Sequence, residues 1–195
     1  PGVILDADDF TVSAFPVWHR GPDCYGFQFI EKTRRPFLPE KAEALAIPSG
    51  PWRRDLVAGK AAMLPDGRTI LPDQVLGEER PGTRLVHIGD VGRTHDLLEV
   101  CREADALVME STYLADDAEM AHRFAHMTAR GAAELALQAG VKHLVLTHIS
   151  RRYREREVAA EAQAIFPNTY IARDFDAYQV RRNECQRVKL EPSED

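Results

Sequence analysis

Apolar and polar positions fall into three patterns along the chain. The stretches from Phe10 to Val17 (FTVSAFPV) and from Cys24 to Ile30 (CYGFQFI) are rich in aromatic and β-branched residues. His19-Arg20-Gly21-Pro22-Asp23 lies between them, so the pattern predicts two strands joined by a polar turn. From Glu31 to Gly82 regularity is lost, because Pro36, Pro39, Pro48, Pro51, Pro65, Pro72 and Pro81 leave no room for a long element. Within this stretch Pro39 to Ala46 suits a short helix with proline in its first turn, and Ile47 to Arg54 reads as an irregular, basic, aromatic loop. After Gly82 short apolar runs alternate with helical periodicity. Strands are expected over Arg84–Ile88, Ala106–Met109, Lys142–Thr147 and Thr169–Ala172, the last paired with Tyr178–Val180. Helices are expected over Asp96–Glu103, Ala115–Arg123, Thr128–Ala139 (with Thr128 as N-cap) and Arg154–Ile165. The chain therefore divides into strands over 1–30, an insertion over 31–82, an α/β core over 83–188 and a frayed tail over 189–195.

Composition narrows the function. With 195 residues, 44% apolar and 29% charged, the chain can bury a core, and its net charge of −6 excludes a wholly basic coat for nucleic acid. Any polyanion is met by a local patch. Cys24, Cys101 and Cys185 form no C-x-x-C pair, which argues against a zinc ribbon or a disulfide-stapled secreted domain and for the cytoplasm. No apolar run approaches the length of roughly 18 residues that a bilayer requires, and no membrane partner is expected. The chain opens at Pro1 without Met and enters Gly2-Val3-Ile4-Leu5 directly, as a fragment or processed chain would.

Ligands in α/β sheets gather outside strand ends. His19, Asp90, Glu110 and His148 each follow a predicted strand, and His126 precedes the helix that Thr128 caps. Imidazole and carboxylate suit Zn²⁺, and two metals about 3.5–4 Å apart can stabilise both oxygens of a phosphoryl displacement. Taken singly, a histidine at a strand end also suits a hydrogen-bonded structural role and Asp90 after Gly89 a turn or cap, and no short ligand motif such as H-E-x-x-H is present.

Longer stretches carry more information. FPVWHRGPDCYGFQFIE, EKAEALAIPSGPW, DGRTILPDQVLG, RLVHIGDVGRT, MEST and HMTARGAAELALQAGVKHLVLTHISRRY occur in an order and spacing that resemble the C-terminal half of ribonuclease Z, the tRNA 3′-processing endonuclease of the metallo-β-lactamase superfamily. The resemblance runs from about Phe10 to Val180. It implies an α/β fold, the αββα sandwich of that superfamily, with an inserted flexible arm. It also implies zinc, two ions per complete site, and removal of the 3′ trailer of precursor tRNA by hydroxide attack on a phosphodiester. By the same resemblance His19, Asp90 and His148 match metal ligands, with Asp90 as the bridge, and His126 with Glu110 matches the pair that passes a proton to the leaving oxygen. A homodimer is implied as well.

The 31–82 insertion then matches the arm that grips tRNA, with Gly50-Pro51 as its motif and Lys32, Arg34, Arg35, Trp52, Arg53 and Arg54 as RNA-binding candidates. Arg151 and Arg152, just after His148, are candidates for phosphates near the centre. Acidic neighbours Glu31, Glu40, Glu43 and Asp55 also allow the arm to be read as a solvated loop. The sequence departs from the family in several places. Its first signature, a His-x-His-x-Asp-His run, is absent, which implies that a missing N-terminal half or a second chain completes the site. Met109 and Met127 stand where the family has His and Ser, and Val91-Gly92-Arg93 follows Asp90 in place of Thr-Arg. His87, His95, His122 and His143 match no motif. Two alternative readings remain open: a hydrolase of the same fold acting on a small phosphodiester or sulfate ester, and a truncated, catalytically incomplete module that binds RNA or a partner.

Overall fold

The computed structural model describes residues 2–21 and 23–189. The expected tail beyond Lys189 lies outside them. Two compact units emerge, one formed by 1–31 with 83–195 and the other by 32–82.

The larger unit is built on a seven-stranded mixed sheet. Its strands are β1 (Gly2–Asp6), β2 (Phe10–Pro16), β3 (Tyr25–Glu31), β6 (Arg84–Ile88), β7 (Ala106–Glu110), β8 (Leu144–Thr147) and β9 (Thr169–Ile171), adjacent in that order. The pairs from β1 to β6 are antiparallel and those from β6 to β9 are parallel. Because β2 and β6 each oppose β3, they run in the same direction, so the ends of β2, β6, β7 and β8 all emerge at one edge of the sheet. That edge receives every predicted ligand.

Helices α3 (Leu98–Cys101), α5 (Ala129–Ala139) and α6 (Glu155–Gln163) belong to this unit, as does α4 (Ala118–Phe124). Strand alternation puts Val86, Ile88, Leu107, Met109, Leu144 and Leu146 in the core, where they cluster with Ala129, Ala132, Ala133 and Ala136 of α5 and Val158 and Ala162 of α6. The small side chains of α5 let its backbone approach the sheet closely. Thr128 caps α5 as expected, its hydroxyl accepting from the Gly131 N–H at 3.0 Å. The opposite face of the sheet carries Phe27, Phe29, Leu85, His87 and Val108 at paired positions, and Phe29 remains exposed.

Two expectations are corrected in this unit. Tyr178–Val180 does not pair with the strand at Thr169. It lies in β10 (Ala177–Arg181), which folds back on β11 (Glu184–Val188) through Arg182-Asn183, with Asn183 in the left-handed region at φ 60°. β9 instead joins β8 in parallel, as the intervening α6 crossover requires. The expected helix from Ala115 is split, with a 3₁₀ turn over Ala115–Asp117 before α4.

The smaller unit has its own core, in which Ala42, Ile47, Leu56, Ala62, Leu64, Ile70, Val75 and Leu76 are buried. It comprises α1 (Pro39–Ala44), α2 (Trp52–Val57) and a two-residue hairpin of β4 (Ala62–Met63) with β5 (Thr69–Ile70). The loop expected over Ile47–Arg54 is therefore partly wrong, since Trp52 starts a helix with Pro51 just before it. Leu56 is fully buried, which explains why a turn so rich in charge folds as a helix. Among the described residues no helix is long and apolar enough to cross a membrane.

Candidate metal centre

Each functional side chain leaves the end of a strand or the start of a helix. Asp90 lies two residues beyond β6, Glu110 ends β7 and His148 follows β8 with its backbone left-handed at φ 53°. His19 lies three residues beyond β2. His126 is on the connection between α4 and α5, and the strand-like bridge between Tyr113 and Thr128 fixes that connection. There the Tyr113 N–H donates to the Met127 carbonyl at 3.1 Å, and the Ala129 N–H donates to Tyr113 at 2.9 Å. Glu110 and His126 are thus stitched together from two remote segments.

The ligand atoms of His19, Asp90 and His126 lie within 4.8 Å of one another. His148 joins them through its Nε2, 3.2 Å from Asp90 Oδ1, while His19 Nε2 is 3.9 Å from Asp90 Oδ2. The two imidazoles thus meet the two oxygens of one carboxylate. His19 Nδ1 is 2.7 Å from the Ala125 carbonyl, so it carries the proton and its Nε2 presents a lone pair to Asp90. His148 Nδ1 is 3.4 Å from the Thr112 hydroxyl, and its Nε2 faces the other oxygen of Asp90. Lone pairs aimed at an anionic oxygen repel it unless a proton or cation lies between them. A cation satisfies both imidazoles and the carboxylate at once, and a carbonyl or hydroxyl behind each ring is the usual second layer of such a site. The donor set fits zinc.

Glu110 has no exposed surface. Its Oε1 accepts from the Val91 N–H at 2.8 Å and from His126 Nδ1 at 2.9 Å. Its Oε2 accepts from the Thr112 hydroxyl and, at 3.3 Å, from the Thr112 N–H. Four donors around one carboxylate are what a buried anion requires. The bond to Glu110 fixes the His126 ring, and its other nitrogen is the one left for the cluster. Ring centroids of His126 lie 5.0 Å from His19 and 5.3 Å from His148.

Motif reading did not single out Thr112, although it lies within MEST. Its hydroxyl touches Glu110 and stands 3.4 Å from both His126 and His148. A hydroxyl two residues beyond a buried carboxylate was the available signal. Glu161 was also missed: its carboxylate accepts from the Ala115 and Arg130 N–H groups at 3.0 and 2.9 Å, tying together the segments that follow Glu110 and His126. Nothing in its local sequence distinguishes it.

The RNA-binding candidates fare unevenly. In the smaller unit Trp52 Nε1 donates to the Pro48 carbonyl at 2.7 Å, and a Cβ at Gly50 would come within 2.2 Å of the Trp52 ring. Arg53 donates to the Ile47 carbonyl at 2.9 Å and Arg35 to the Gly77 carbonyl at 2.8 Å. These groups brace the Gly50-Pro51 corner and the unit around it. Lys32, Arg34 and Arg54 are exposed, as are Arg151 and Arg152 of the larger unit.

The profile of the Beta-lactamase superfamily domain matches residues 75–149, the segment that holds Asp90, Glu110, His126 and His148. A metallo-beta-lactamase fold protein from Bacillus subtilis superposes with a TM-score of 0.54 at 19% identity, covering 86% of this chain and 48% of that one. Human tRNase Z, short form, gives 0.52 at 23% identity, covering 89% and 44%. The chain therefore has the α/β fold of the metallo-β-lactamase class.

Within that class it resembles ribonuclease Z. It is 47% identical over 180 residues to ribonuclease Z of Bradyrhizobium sp. (strain ORS 278), spanning 92% of this chain and 60% of that protein. Ribonuclease Z of Gemmatimonas aurantiaca is 43% identical over 170 residues, spanning 86% and 54%. The chain thus spans roughly three-fifths of the length of the relatives it matches.

Proposed function

We propose that this chain supplies the metal site of an endoribonuclease that removes the 3′ trailer of precursor tRNA, with zinc as the metal and the cytoplasm as its place of action. The observation that carries the proposal is the meeting of His19, Asp90, His126 and His148 at one sheet edge, with buried Glu110 directly behind His126. Similarity to ribonuclease Z supports the choice of RNA over other phosphodiesters.

In this reading His19, Asp90 and His148 would hold zinc. The chemistry zinc supplies when bound is Lewis acidity and activation of water. His126 gives the proton on its cluster-facing nitrogen to the departing 3′ oxygen, so that the product ends in a 3′-hydroxyl. Glu110 holds the ring in position and stabilises its protonated form before transfer. The exposed cations Lys32, Arg34, Arg54, Arg151 and Arg152 meet phosphates, whereas Arg35, Trp52 and Arg53 act by bracing the arm. A second chain or a preceding segment completes the ligand set and covers the outer face of the sheet, a homodimer being one such arrangement. Exposed Phe29 on that face supports this.

The test is cleavage of a precursor tRNA, with the product ends mapped, by the chain together with the segment or partner that completes its ligand set. Metal-dependent cleavage that leaves a 3′-hydroxyl is expected, abolished by chelation and restored by zinc. His126→Ala should lower turnover by about two or more orders of magnitude while leaving metal content nearly intact. Equal loss of both would make His126 a ligand rather than a proton donor.

A further inference from the structure

A hollow of about 290 Å³ is lined by Trp18, the residue before His19, and Arg93, three residues after Asp90, together with Tyr25, Asp23 and Asp96. Two large aromatic side chains stand open in it, Trp18 at 42% exposure and Tyr25 at 49%. Trp18 is firmly placed. Its carbonyl accepts from the Gly92 N–H at 2.8 Å, and a Cβ at Gly92 would come within 2.4 Å of the indole and 2.9 Å of Ala125 Cα. The indole therefore rests on the segment that follows Asp90 and beside the one that presents His126. The Arg93 guanidinium lies 5.7 Å from the indole centroid and is steadied by Asp96 at 3.0 Å.

A firmly placed indole that keeps 42% of its surface exposed, with a guanidinium over part of its ring, is the chemistry that stacks bases. The carboxylates of Asp23 and Asp96 disfavour a phosphate within the hollow and favour a group with amino hydrogens to donate. We propose that this hollow takes one single-stranded nucleobase of the RNA substrate, stacked on Trp18 and bordered by Arg93. Its amino group donates to a carboxylate, and its flanking phosphate is directed toward the metal cluster. The proposal rests on the nuclease reading above, and it makes Trp18 a residue that positions the substrate rather than one that reacts.

Tryptophan fluorescence of the 195-residue chain tests it directly, titrated with a five-nucleotide oligoadenylate and with an abasic ribose-phosphate oligomer of equal length. Saturable quenching by the oligoadenylate is expected at concentrations about tenfold below those the abasic oligomer needs. That quenching should vanish in Trp18→Phe, where any response of Trp52 persists. Identical titrations by the two oligomers, or quenching unchanged in Trp18→Phe, would overturn the proposal. In the precursor cleavage assay Trp18→Ala should raise KM about tenfold with kcat little changed, and Trp18→Phe should restore most of the loss. A fall in kcat alone would instead assign Trp18 to packing against Gly92 and overturn stacking. Wild-type cleavage without base-dependent quenching defeats only this proposal, whereas failure of cleavage by the chain together with the segment or partner that completes its ligand set defeats the nuclease reading and leaves the fluorescence result to decide this proposal by itself.

Discussion

The Thr112 hydroxyl lies among Glu110, His126 and His148. It has one proton, given to Glu110, and lone pairs that face His148 and His126. Thr112→Val keeps the shape but leaves Glu110 one donor short in a fully buried position, at a cost of about 1–3 kcal/mol. We expect a loss of stability of that order together with weaker metal retention through His148, read by thermal unfolding and by metal content after dialysis. Loss of neither would mean that the hydroxyl is idle. Cys101 makes a separate residue-scale prediction, far from the chemistry. It is completely buried, and burial pushes its thiol up to about 12, against an unfolded value near 9. The unfolded chain thus loses its proton first as pH rises. The contribution of Cys101 to stability is constant below about pH 9 and declines from there to about pH 12. Cys101→Ala should flatten that decline in denaturant titrations, and an identical alkaline slope in both proteins would contradict it.

At the scale of elements, the site depends on segments that meet without belonging to one motif. β7 delivers Glu110, the connection before α5 delivers His126, and α6 holds both segments through Glu161. Glu161→Ala leaves the N–H groups of Ala115 and Arg130 without their acceptor while touching no ligand. We expect it to destabilise the chain by about 1–2 kcal/mol and to reduce turnover, with the pH profile of turnover altered because His126 is less well held. A stability loss with unchanged turnover and pH profile would confine Glu161 to a structural part. Strand positions were readable because β6, β7 and β8 are compact apolar runs between turn residues. The edge strand β1 was only half legible, since every residue of Gly2–Asp6 is exposed and no burial pattern marks it. The β10–β11 hairpin was misassigned because Arg182-Asn183 is a weaker turn signal than a glycine-containing pair. α2 was read as loop because one buried leucine, not periodicity, holds it.

For the whole molecule, the sheet explains why candidate residues so distant in sequence come together. Strand ends running in one direction gather His19, Asp90, Glu110 and His148 at one edge, and motif order located each of them. Contacts between loops were not legible, because Thr112, Glu161 and the Ala125 carbonyl act through three-dimensional proximity and no spacing rule encodes them. Arg35, Trp52 and Arg53 show the same limit: charge and aromaticity alone do not separate groups that brace the smaller unit from groups open to a ligand.

His19, Asp90 and His148 are proposed as a cation site because two imidazole nitrogens converge on the two oxygens of one carboxylate. Calorimetric titration of the metal-stripped chain with zinc tests this most directly, run in parallel on Asp90→Ala and with its fold checked by circular dichroism. Saturable zinc binding by the wild-type chain is expected, with a loss of affinity of at least about tenfold in a folded Asp90→Ala chain. Absence of binding in the wild type, or unchanged affinity without Asp90, would contradict it.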